Sequence, residues 1–292
     1  MKKNISCVLL ALLVTSSSCS QNVSRIADYL NQPEPGDVPE IFAPGLVSIE
    51  NANEYPPSFS ADMSEMYFGY NWKNGDRYIM HTKRDKDGRW SKPEKVSFTG
   101  FPEAESILSP DNSKIFFAAH TDAAKRKPHD LWYANRHKDG WGKPIKLGKR
   151  INTDKYEYFA TSTNAGKIYF SREGEILFAD SKNDKHSEVQ LIDPEISGMK
   201  FVSHPFIAPD EGYLIFDSRE PDGYGSADLY ISFRKNGRWG KPINLGSKIN
   251  TPKWDAMPIV TPDGKYLFFC REAKRKRDVY WVKFDIEKYR KR

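Results

Sequence analysis

The chain has 292 residues, of which 38% are hydrophobic, 29% charged and 13% aromatic. These proportions are typical of a globular domain and exclude a disordered chain or a protein built of membrane-spanning helices. The formal net charge is +6, and the first two lysines lie in a segment that we expect to be removed. The remaining charges are nearly balanced, which argues against nucleic acid as a partner.

Residues 1–18 have the order of parts that is typical of a secretory signal peptide. Lys2 and Lys3 precede an apolar run over residues 8–14, and small residues then lead to Cys19. A charged start, a short apolar run and small residues at the cleavage site direct export, and this run is too short to cross a bilayer. A cysteine directly after small residues resembles the signal of bacterial lipoproteins, in which this cysteine is lipidated. A plain secretory signal is the alternative.

Residues 19–39 are polar and contain several prolines, and we expect them to form a tether between a lipid on Cys19 and the folded domain. The lipid would hold the protein in the cell envelope, so the membrane is a predicted partner through this anchor. Of the three cysteines, only Cys270 lies in the body of the chain. A body with one cysteine forms no internal disulfide, so its core alone must stabilise the fold.

The body of the chain is a repeat. An apolar strand, a turn of the Ser/Thr/Ala-Pro-Asp type and a second strand rich in aromatic residues recur in copies that begin near Glu54, Glu103, Tyr156, His204 and Asp255. A third strand follows and opens with an acid, at Asp76, Asp130, Glu175, Asp228 and Asp278. In three copies an Asp-Gly or Asn-Gly turn, which suits a β-hairpin, leads to a fourth strand. Four antiparallel strands that recur about every 40–50 residues are typical of propeller blades.

We therefore predict an all-β fold, a five-bladed β-propeller of four-stranded antiparallel blades over residues 40–286, followed by a basic tail at 287–292. The fifth copy has only three strands, and residues 40–49 have the pattern of an isolated fourth strand. Pairing this segment with residues 279–284 closes the ring and leaves no blade face uncovered. Six blades are the alternative, and they need a further copy that the sequence does not show.

The finer pattern of the repeat resembles a known family. Ile-Asn-Thr at 151–153 and 249–251 precedes an acid, and Pro-Asp-Gly, an aromatic strand, Asp-Leu-Tyr and Gly-x-Trp-Gly-x-Pro occur in the best copies. This combination resembles the Pro-Asp variety of the WD-like repeat in TolB-type propellers, over residues 40–284. The resemblance implies a scaffold rather than one activity, since members of this family occur as periplasmic binding modules, as parts of cell-envelope assemblies and as appendages of hydrolases.

Residues at one end of the predicted ring form the candidate site. In a propeller, the first strand of each blade starts and the second strand ends at the same mouth of the central channel. The residues predicted at the starts of the first strands are Glu54, Glu105, Glu157, His204 and Asp255. Those predicted at the ends of the second strands are Tyr70, His120, Arg172, Arg219 and Arg271, with Trp72 and Trp254 as stacking surfaces nearby.

Three interpretations of this acidic mouth remain open. In the first, the acids belong to the repeat and accept hydrogen bonds from the backbone or pair with the arginines. In the second, the mouth binds a glycan, a peptide or a protein partner, because acids, arginines and aromatic rings at a concave rim suit a polar ligand. In the third, Glu54, Glu105 and Glu157 supply the carboxyl groups of a carbohydrate-active hydrolase. We predict a binding module, because only the architecture supports an enzyme.

The sequence lacks the common motifs for metals, nucleotides and catalytic nucleophiles, including His-Glu-x-x-His, paired Cys-x-x-Cys and Gly-x-Ser-x-Gly. We therefore expect no cofactor and no metal site. The acids that open the third strands have a structural interpretation, in which the carboxylate holds the preceding turn. Trp90, Trp141 and Trp239 are predicted to pack between blades, and residues 222–226 to form an insertion at the mouth.

Overall fold

The computed structural model describes residues 29, 30, 32–72, 75–120, 129–182, 185–273 and 276–291. The predicted signal peptide, the predicted lipidation site Cys19 and most of the predicted tether lie outside the described residues. Within the described ranges, no helix is long and apolar enough to cross a membrane.

The described strands form five antiparallel sheets that follow one another along the chain, and a sixth sheet of two strands is a hairpin beside the third. The first strand, β1 (Glu40–Ile41), belongs to the last sheet. Blade I contains β2 (Ala52–Phe59), β3 (Glu65–Trp72), β4 (Arg77–Lys83) and β5 (Glu94–Val96). Blade II contains β6 (Glu103–Leu108), β7 (Lys114–Ala119), β8 (Asp130–His137), β9 (Gly140–Trp141) and β10 (Ile145–Lys146). Blade III contains β11 (Glu157–Ser162), β12 (Ile168–Arg172), β13 (Glu175–Ala179), a side hairpin of β14 (Ser181–Lys182) and β15 (Lys185–His186), and β16 (Gln190–Leu191).

Two short helices flank the last two blades. The first, α1 (Pro194–Ser197), lies in the connection from blade III to blade IV. Blade IV contains β17 (Ser203–Ile207), β18 (Tyr213–Ser218), β19 (Asp228–Lys235), β20 (Arg238–Trp239) and β21 (Ile243–Asn244). Blade V contains β22 (Trp254–Val260), β23 (Tyr266–Ala273), β24 (Lys276–Lys283) and β1. The second helix, α2 (Glu287–Arg290), follows β24.

The beginning and the end of the propeller meet in blade V, as predicted. Strand β1 pairs antiparallel with β24, and Glu40 lies opposite Trp281. Only the first two residues of the predicted strand at 40–49 pair in this way, because the chain then turns and buries Phe42 in the core. The all-β fold with five four-stranded blades is confirmed, and a sixth blade is not found in the part of the chain that the structure describes.

The folded part extends beyond both predicted boundaries of the domain. Tyr29 lies within the predicted tether, yet it is buried against the rings of Phe59, Tyr266 and Trp281. At the other end, Tyr289 of α2 is buried as well, so the predicted basic tail is partly helical and packs on the propeller. In both segments a single aromatic ring gains burial, which the polar average of the segment does not reveal.

The turns between the first and second strands are shaped by their aspartates. In blade II, the hydroxyl of Ser109 donates to Asp111 Oδ1 at 2.6 Å, and the N–H of Ser113 donates to the same oxygen at 3.0 Å. Asn112, between them, has a φ of 60°, a conformation that asparagine tolerates well. The same hydroxyl–carboxylate contact recurs in blades I and V, at Ser60 with Asp62 and at Thr261 with Asp263.

Two of the three tryptophans named above pack between blades as predicted. Trp141 of blade II donates its indole N–H to the hydroxyl of Tyr67 in blade I at 2.9 Å. Trp239 of blade IV meets Tyr169 of blade III edge-on, with ring centroids 6.4 Å apart. Trp90 contacts the ring of Phe59 in its own blade I and packs against a hydrophobic cluster that contains residues of blades I and V. These rings pack in the space between neighbouring sheets, where each blade covers the face of the next one.

Candidate functional site

The beginnings of the first strands and the ends of the second strands lie at one end of the propeller. Antiparallel pairing places Glu157 opposite Arg172 and Asp255 opposite Arg271. We call this end the mouth face. It includes the connections into the first strands, at residues 42–51, 97–102, 147–156, 192–202 and 245–253.

A β-bulge in each first strand divides the predicted acidic ring into two register positions. The pairing with the second strand shifts after Tyr55, Ala104, Tyr158, Ser203 and Ala256. Glu54, Glu157 and Asp255 lie one residue before these positions. Glu105 and His204 lie one residue after them, inside the bulge, with φ values of 56° and 50°. Five residues that look alike in the sequence therefore have two different environments.

Glu103 is the residue of blade II that corresponds to Glu54, and the sequence pattern did not single it out. A fixed spacing identifies it, since Glu54, Glu103 and Asp255 each lie eight residues before the aspartate of the following turn. Glu103 accepts hydrogen bonds from the N–H of Phe98 at 3.0 Å and from the N–H of Thr99. Its carboxylate thereby holds the connection from blade I to blade II.

The other acids before the bulge do the same for their own connections. Glu157 accepts hydrogen bonds from the N–H and the hydroxyl of Thr153, at 3.2 and 2.6 Å. Asp255 accepts the corresponding pair from Thr251, both at 2.7 Å. All these carboxylates are buried, and buried carboxylates that satisfy backbone donors stabilise the fold. At these positions the geometry favours the structural interpretation of the acids.

The Ile-Asn-Thr motif belongs to the same connection. Asn152 accepts a hydrogen bond from the N–H of Leu131 at 2.7 Å and donates to its carbonyl at 2.9 Å, which ties the connection to the blade that it leaves. Arg172 ties it to the blade that it enters, by donating to Glu157 at 2.8 Å and to the carbonyl of Ile151 at 2.7 Å. The same contacts recur between blades IV and V, at Leu229, Ile249, Asn250, Asp255 and Arg271.

Glu54 lacks the arginine neighbour that Glu157 has. Opposite it stands Tyr70, whose hydroxyl donates to the carbonyl of Leu46 at 2.9 Å. One oxygen of Glu54 accepts a hydrogen bond from the N–H of Ile49 at 2.9 Å, and the other has no hydrogen-bond partner among the described residues. Burial raises the pKa of Glu54 to about 8, so this acid is largely protonated at neutral pH.

Glu105 and His204 join neighbouring blades through the bulges. A bulge leaves one backbone N–H without a partner in its own ladder. Glu105 accepts such a hydrogen bond from the N–H of Phe159 in the next blade at 2.9 Å. His204 Nδ1 lies 2.7 Å from Asp217 Oδ1, and Asp217 accepts the N–H of Met257 in the next blade at 3.1 Å. Burial raises the pKa of Glu105, and the nearby His204 opposes this shift.

Three aromatic side chains surround the mouth at equivalent positions. Tyr156, Phe201 and Trp254 each lie two residues before the bulge of their blade. Tyr156 is 48% exposed and Phe201 is 40% exposed, whereas Trp254 is half-buried. Phe101, one residue further from the bulge in blade II, is 44% exposed. We call these four residues the aromatic rim, and they are a candidate interaction surface.

A repeated dipeptide marks the rim in the sequence. Lysine directly precedes three of the four rings, at Lys155, Lys200 and Lys253, and all three lysines are exposed. Of the four rim residues, only Trp254 was predicted from the sequence as a stacking surface near the mouth. The lysine–aromatic pair, whose ring lies two residues before the bulge in three successive blades, is the signal that identifies Tyr156 and Phe201.

A nitrogen-bearing side chain lies against each of these three rings. His129 lies against Tyr156, with the two ring centroids 5.7 Å apart. The guanidinium carbon of Arg219 lies 4.1 Å from the ring centroid of Phe201, and that of Arg277 lies 5.6 Å from the ring centroid of Trp254. A guanidinium over an aromatic face is attracted by the negative potential of the ring. The predicted site residue Arg219 therefore belongs to the rim, whereas His129 and Arg277 were not predicted.

The predicted site residue His120 reaches the rim through His129. The Nε2 atoms of the two histidines are 2.6 Å apart, and Nη1 of Arg77 lies within hydrogen-bond distance of the same His129 atom. Burial, Arg77 and His120 lower the pKa of His129 to about 3. His129 is therefore neutral at physiological pH, and Arg77 carries the positive charge of this cluster.

The three carboxylates considered for hydrolysis do not face the mouth together. Glu54 and Glu157 are fully buried beneath the connections, and Glu105 is bonded inside its bulge. A glycoside hydrolase needs two carboxyl groups that flank the scissile bond. Within the described ranges, no group of three or more His, Cys, Asp or Glu side chains is placed to hold a metal ion. The mouth face exposes acids such as Glu50, Asp154 and Glu195, together with the aromatic rings and lysines that precede the first strands.

Asp228 has the structural role predicted for the acids that open the third strands. It accepts hydrogen bonds from the N–H groups of Tyr224 and Gly225 at 2.7 and 3.1 Å, and so holds the insertion at the mouth. The acid at the same position of blade II makes a different contact, because Asp130 pairs with Lys146 at 2.7 Å.

Comparisons with known proteins agree with the fold. No protein-family model and no curated protein matches the chain. A putative TolB from Agrobacterium tumefaciens is 14% identical, with a TM-score of 0.52 over 79% of this chain and 77% of that one. The Bacteroides ovatus Xyloglucan PUL GH43B is 13% identical, with a TM-score of 0.51 over 83% of this chain and 54% of that one, so this chain spans about half of its length. Identities this low show the fold alone. The chain is a five-bladed β-propeller that is similar in fold to the putative TolB.

Proposed function

We propose that the protein is an exported binding module that holds a saccharide on the aromatic rim of its mouth face. The observation that carries the proposal is the equivalent position of Tyr156, Phe201 and Trp254, which places flat rings at the entrances of three successive blades. The C–H faces of sugar rings pack on aromatic side chains, while a few placed polar groups take the hydroxyls and fix orientation.

The polar groups that such a ligand needs accompany the rings. Arg219 lies over Phe201 and is itself exposed, and Lys200 and Lys253 are exposed beside their rings. Donors therefore alternate with stacking surfaces around the mouth. A peptide or a protein partner gripped by the rim is the competing ligand class, and the experiment below separates it from a saccharide.

Export and anchoring complete the proposal. The signal-like residues 1–18 and Cys19 support a lipid-anchored protein in the cell envelope, with the membrane as a partner through the lipid. A module on such an anchor samples saccharides of the envelope or its surroundings without chemistry of its own.

Calorimetric titration with neutral and acidic oligosaccharides tests the proposal. We expect Tyr156→Ala and Phe201→Ala each to weaken binding by about 3- to 10-fold, because each removes one stacking surface. Leu191→Ala is the matched control, since Leu191 is also 48% exposed but lies in the outer strand β16. Its affinity should equal that of the wild type.

Two results would contradict saccharide binding at the rim. One is an equal loss of affinity in the Leu191 variant and the two rim variants. The other is binding of peptides, but of no saccharide, that the rim variants abolish. Release of shorter sugars during the titration would favour the hydrolase instead.

A further inference from the structure

Arg277 carries an unsatisfied group beside the rim. Its backbone N–H donates to Asn53 Oδ1 at 2.9 Å, and its Nε donates to the carbonyl of Glu54 at 3.0 Å. The guanidinium lies 4.8 Å from the ring centroid of Tyr55 and 5.6 Å from that of Trp254. Nη2 is buried and has no hydrogen-bond partner among the described residues.

A buried guanidinium nitrogen without an acceptor is unusual, because the buried polar groups of proteins are nearly always hydrogen-bonded. The acid that interacts electrostatically with Arg277 is Glu105, which already accepts the N–H of Phe159. Burial raises the pKa of Glu105, and the nearby His204, Arg77 and Arg277 oppose this shift. Nη2 therefore lacks a carboxylate of the protein's own, and it lies beside Trp254 of the rim.

The surroundings of Arg277 favour an anion. Arg77 acts on the same Glu105 as Arg277 does, so two guanidiniums share one buried carboxyl group of raised pKa. Further out, Lys253 precedes Trp254 and is exposed. A carboxylate matches the planar donor arrangement of a guanidinium, and such charge-assisted hydrogen bonds are about twice as strong as neutral ones.

We infer that the saccharide is acidic: a uronic-acid oligosaccharide whose ring packs on Trp254 and whose carboxylate pairs with the guanidinium of the half-buried Arg277. This inference rests on the proposed function and names its ligand class. A uronic acid carries its carboxylate directly on the sugar ring, so one residue of the polymer satisfies both the aromatic face and the guanidinium beside it. Rings on three successive blades suit a polymer of such units better than one peptide terminus.

The test uses tetramers of galacturonate, mannuronate and glucuronate, each paired with its methyl ester. The ester keeps the sugar ring and removes the charge. We expect the wild-type protein to bind at least one acid about 10-fold tighter than its ester, and the preference to shrink at high salt. Arg277→Gln should reduce the preference to about 2-fold or less while leaving the affinity for the ester within about 2-fold of the wild type.

Two further variants keep the result interpretable. Arg277→Lys retains a positive charge but lacks Nη2, and it should lose most of the preference even if Arg277→Gln does not fold. Arg238→Gln removes an exposed arginine of β20, away from the mouth, and should leave both affinities unchanged. Thermal melting of each variant confirms that it is folded.

The outcomes separate this inference from the proposed function. Equal affinities for acids and esters, lost in Tyr156→Ala, overturn the acidic ligand but leave saccharide binding in place. A preference for the acids that survives in both Arg277 variants overturns the assignment to Arg277. Binding of acidic peptides with no binding of any tetramer or ester overturns both proposals.

Discussion

Buried carboxylates at one repeated position of this propeller have different neighbours. Arg172 donates to Glu157 at 2.8 Å, whereas Tyr70 stands opposite Glu54. A guanidinium favours the ionised carboxylate, and an apolar surrounding favours the neutral acid. Burial raises the pKa of Asp255 too, and Arg271 opposes that shift. The arginine that opposes the effect of burial in blade V is replaced by Tyr70 in blade I.

The wild-type protein should lose stability at high pH because of Glu54, and the variant Glu54→Gln should not. The pKa of Glu54 is about 8 in the folded protein, against an ordinary value of 4.5. Its contribution to stability is therefore complete below the ordinary pKa, declines as the pH rises and is lost above about 8. We expect the variant and the wild type to melt at similar temperatures near about pH 5, and the variant to melt higher at about pH 9. Thermal melts across this range measure the difference.

Glu157→Gln is the control variant, and we expect it to lower the stability of the protein rather than raise it. It leaves the guanidinium of Arg172 without its carboxylate partner in a mostly buried position. We expect the free energy of unfolding to fall by about 3 kcal/mol at both pH values. If the two variants respond to pH in the same way, the neighbours of these acids do not set their charge.

At the scale of elements, the insertion of blade IV positions one ring of the aromatic rim. The N–H of Ser226 donates to the carbonyl of Lys253 at 2.9 Å, and Ala227 pairs with Trp254 in a parallel bridge. Gly225 is required for this close approach, because a Cβ there would lie 2.1 Å from the carbonyl oxygen of Lys253. Asp228 holds the insertion in turn, so a structural acid supports the candidate site.

Asp228→Ala should lower stability rather than remove a specific activity. The carboxylate accepts hydrogen bonds from two N–H groups of the insertion and from the side-chain amide of Asn244 at 2.9 Å. Losing these three contacts should cost about 2–4 kcal/mol of unfolding free energy, measured by urea denaturation. Asp222→Ala, at an exposed position of the same insertion, should change it by less than about 0.5 kcal/mol. Normal melting of the Asp228 variant together with lost ligand binding would show that the acid serves the ligand instead.

At the scale of the whole molecule, the N-terminal segment closes the ring. Phe42 is fully buried and lies 4.9 Å from Phe268 and 5.3 Å from Trp281, measured between ring centroids. Tyr29 packs on Trp281 from the same segment. Because blades bury their faces only on each other, a seam between the last blade and the first affects the stability of all five.

Phe42→Ala should therefore destabilise the whole propeller in one transition. Removing a fully buried phenylalanine costs about 3–5 kcal/mol, since the cavity left behind adds to the lost transfer free energy. Val38→Ala, at a side chain that is 61% exposed in the same segment, should be nearly neutral. Calorimetric melting with a separate early transition of blade V would indicate that the blades unfold independently.

Local patterns were sufficient to predict the fold. The Ser-x-Asp and Asn-Gly turns, the aromatic second strands and the acids that open the third strands each reflect short-range backbone requirements, which a linear repeat displays directly. Counting them predicted five blades and a ring closed by the segment at 40–49. The burial of Tyr29 and Tyr289 was not predictable in this way, because it depends on partners that are distant along the chain. Tyr29 packs on Tyr266, more than two hundred residues away, and Tyr289 donates to the carbonyl of Leu245, about forty residues away.

The candidate site was only partly predictable, for a physical reason. The sequence by itself determined that Glu54, Glu157 and Asp255 and the residues opposite them lie near the mouth, because strand order places them there. Only the tertiary structure decided which of them face a ligand. A bulge of one residue moves Glu105 away from the position of Glu54, and the connections bury Glu157 and Asp255 while they expose Tyr156 and Phe201. Exposure and register depend on contacts between blades, which no single repeat encodes.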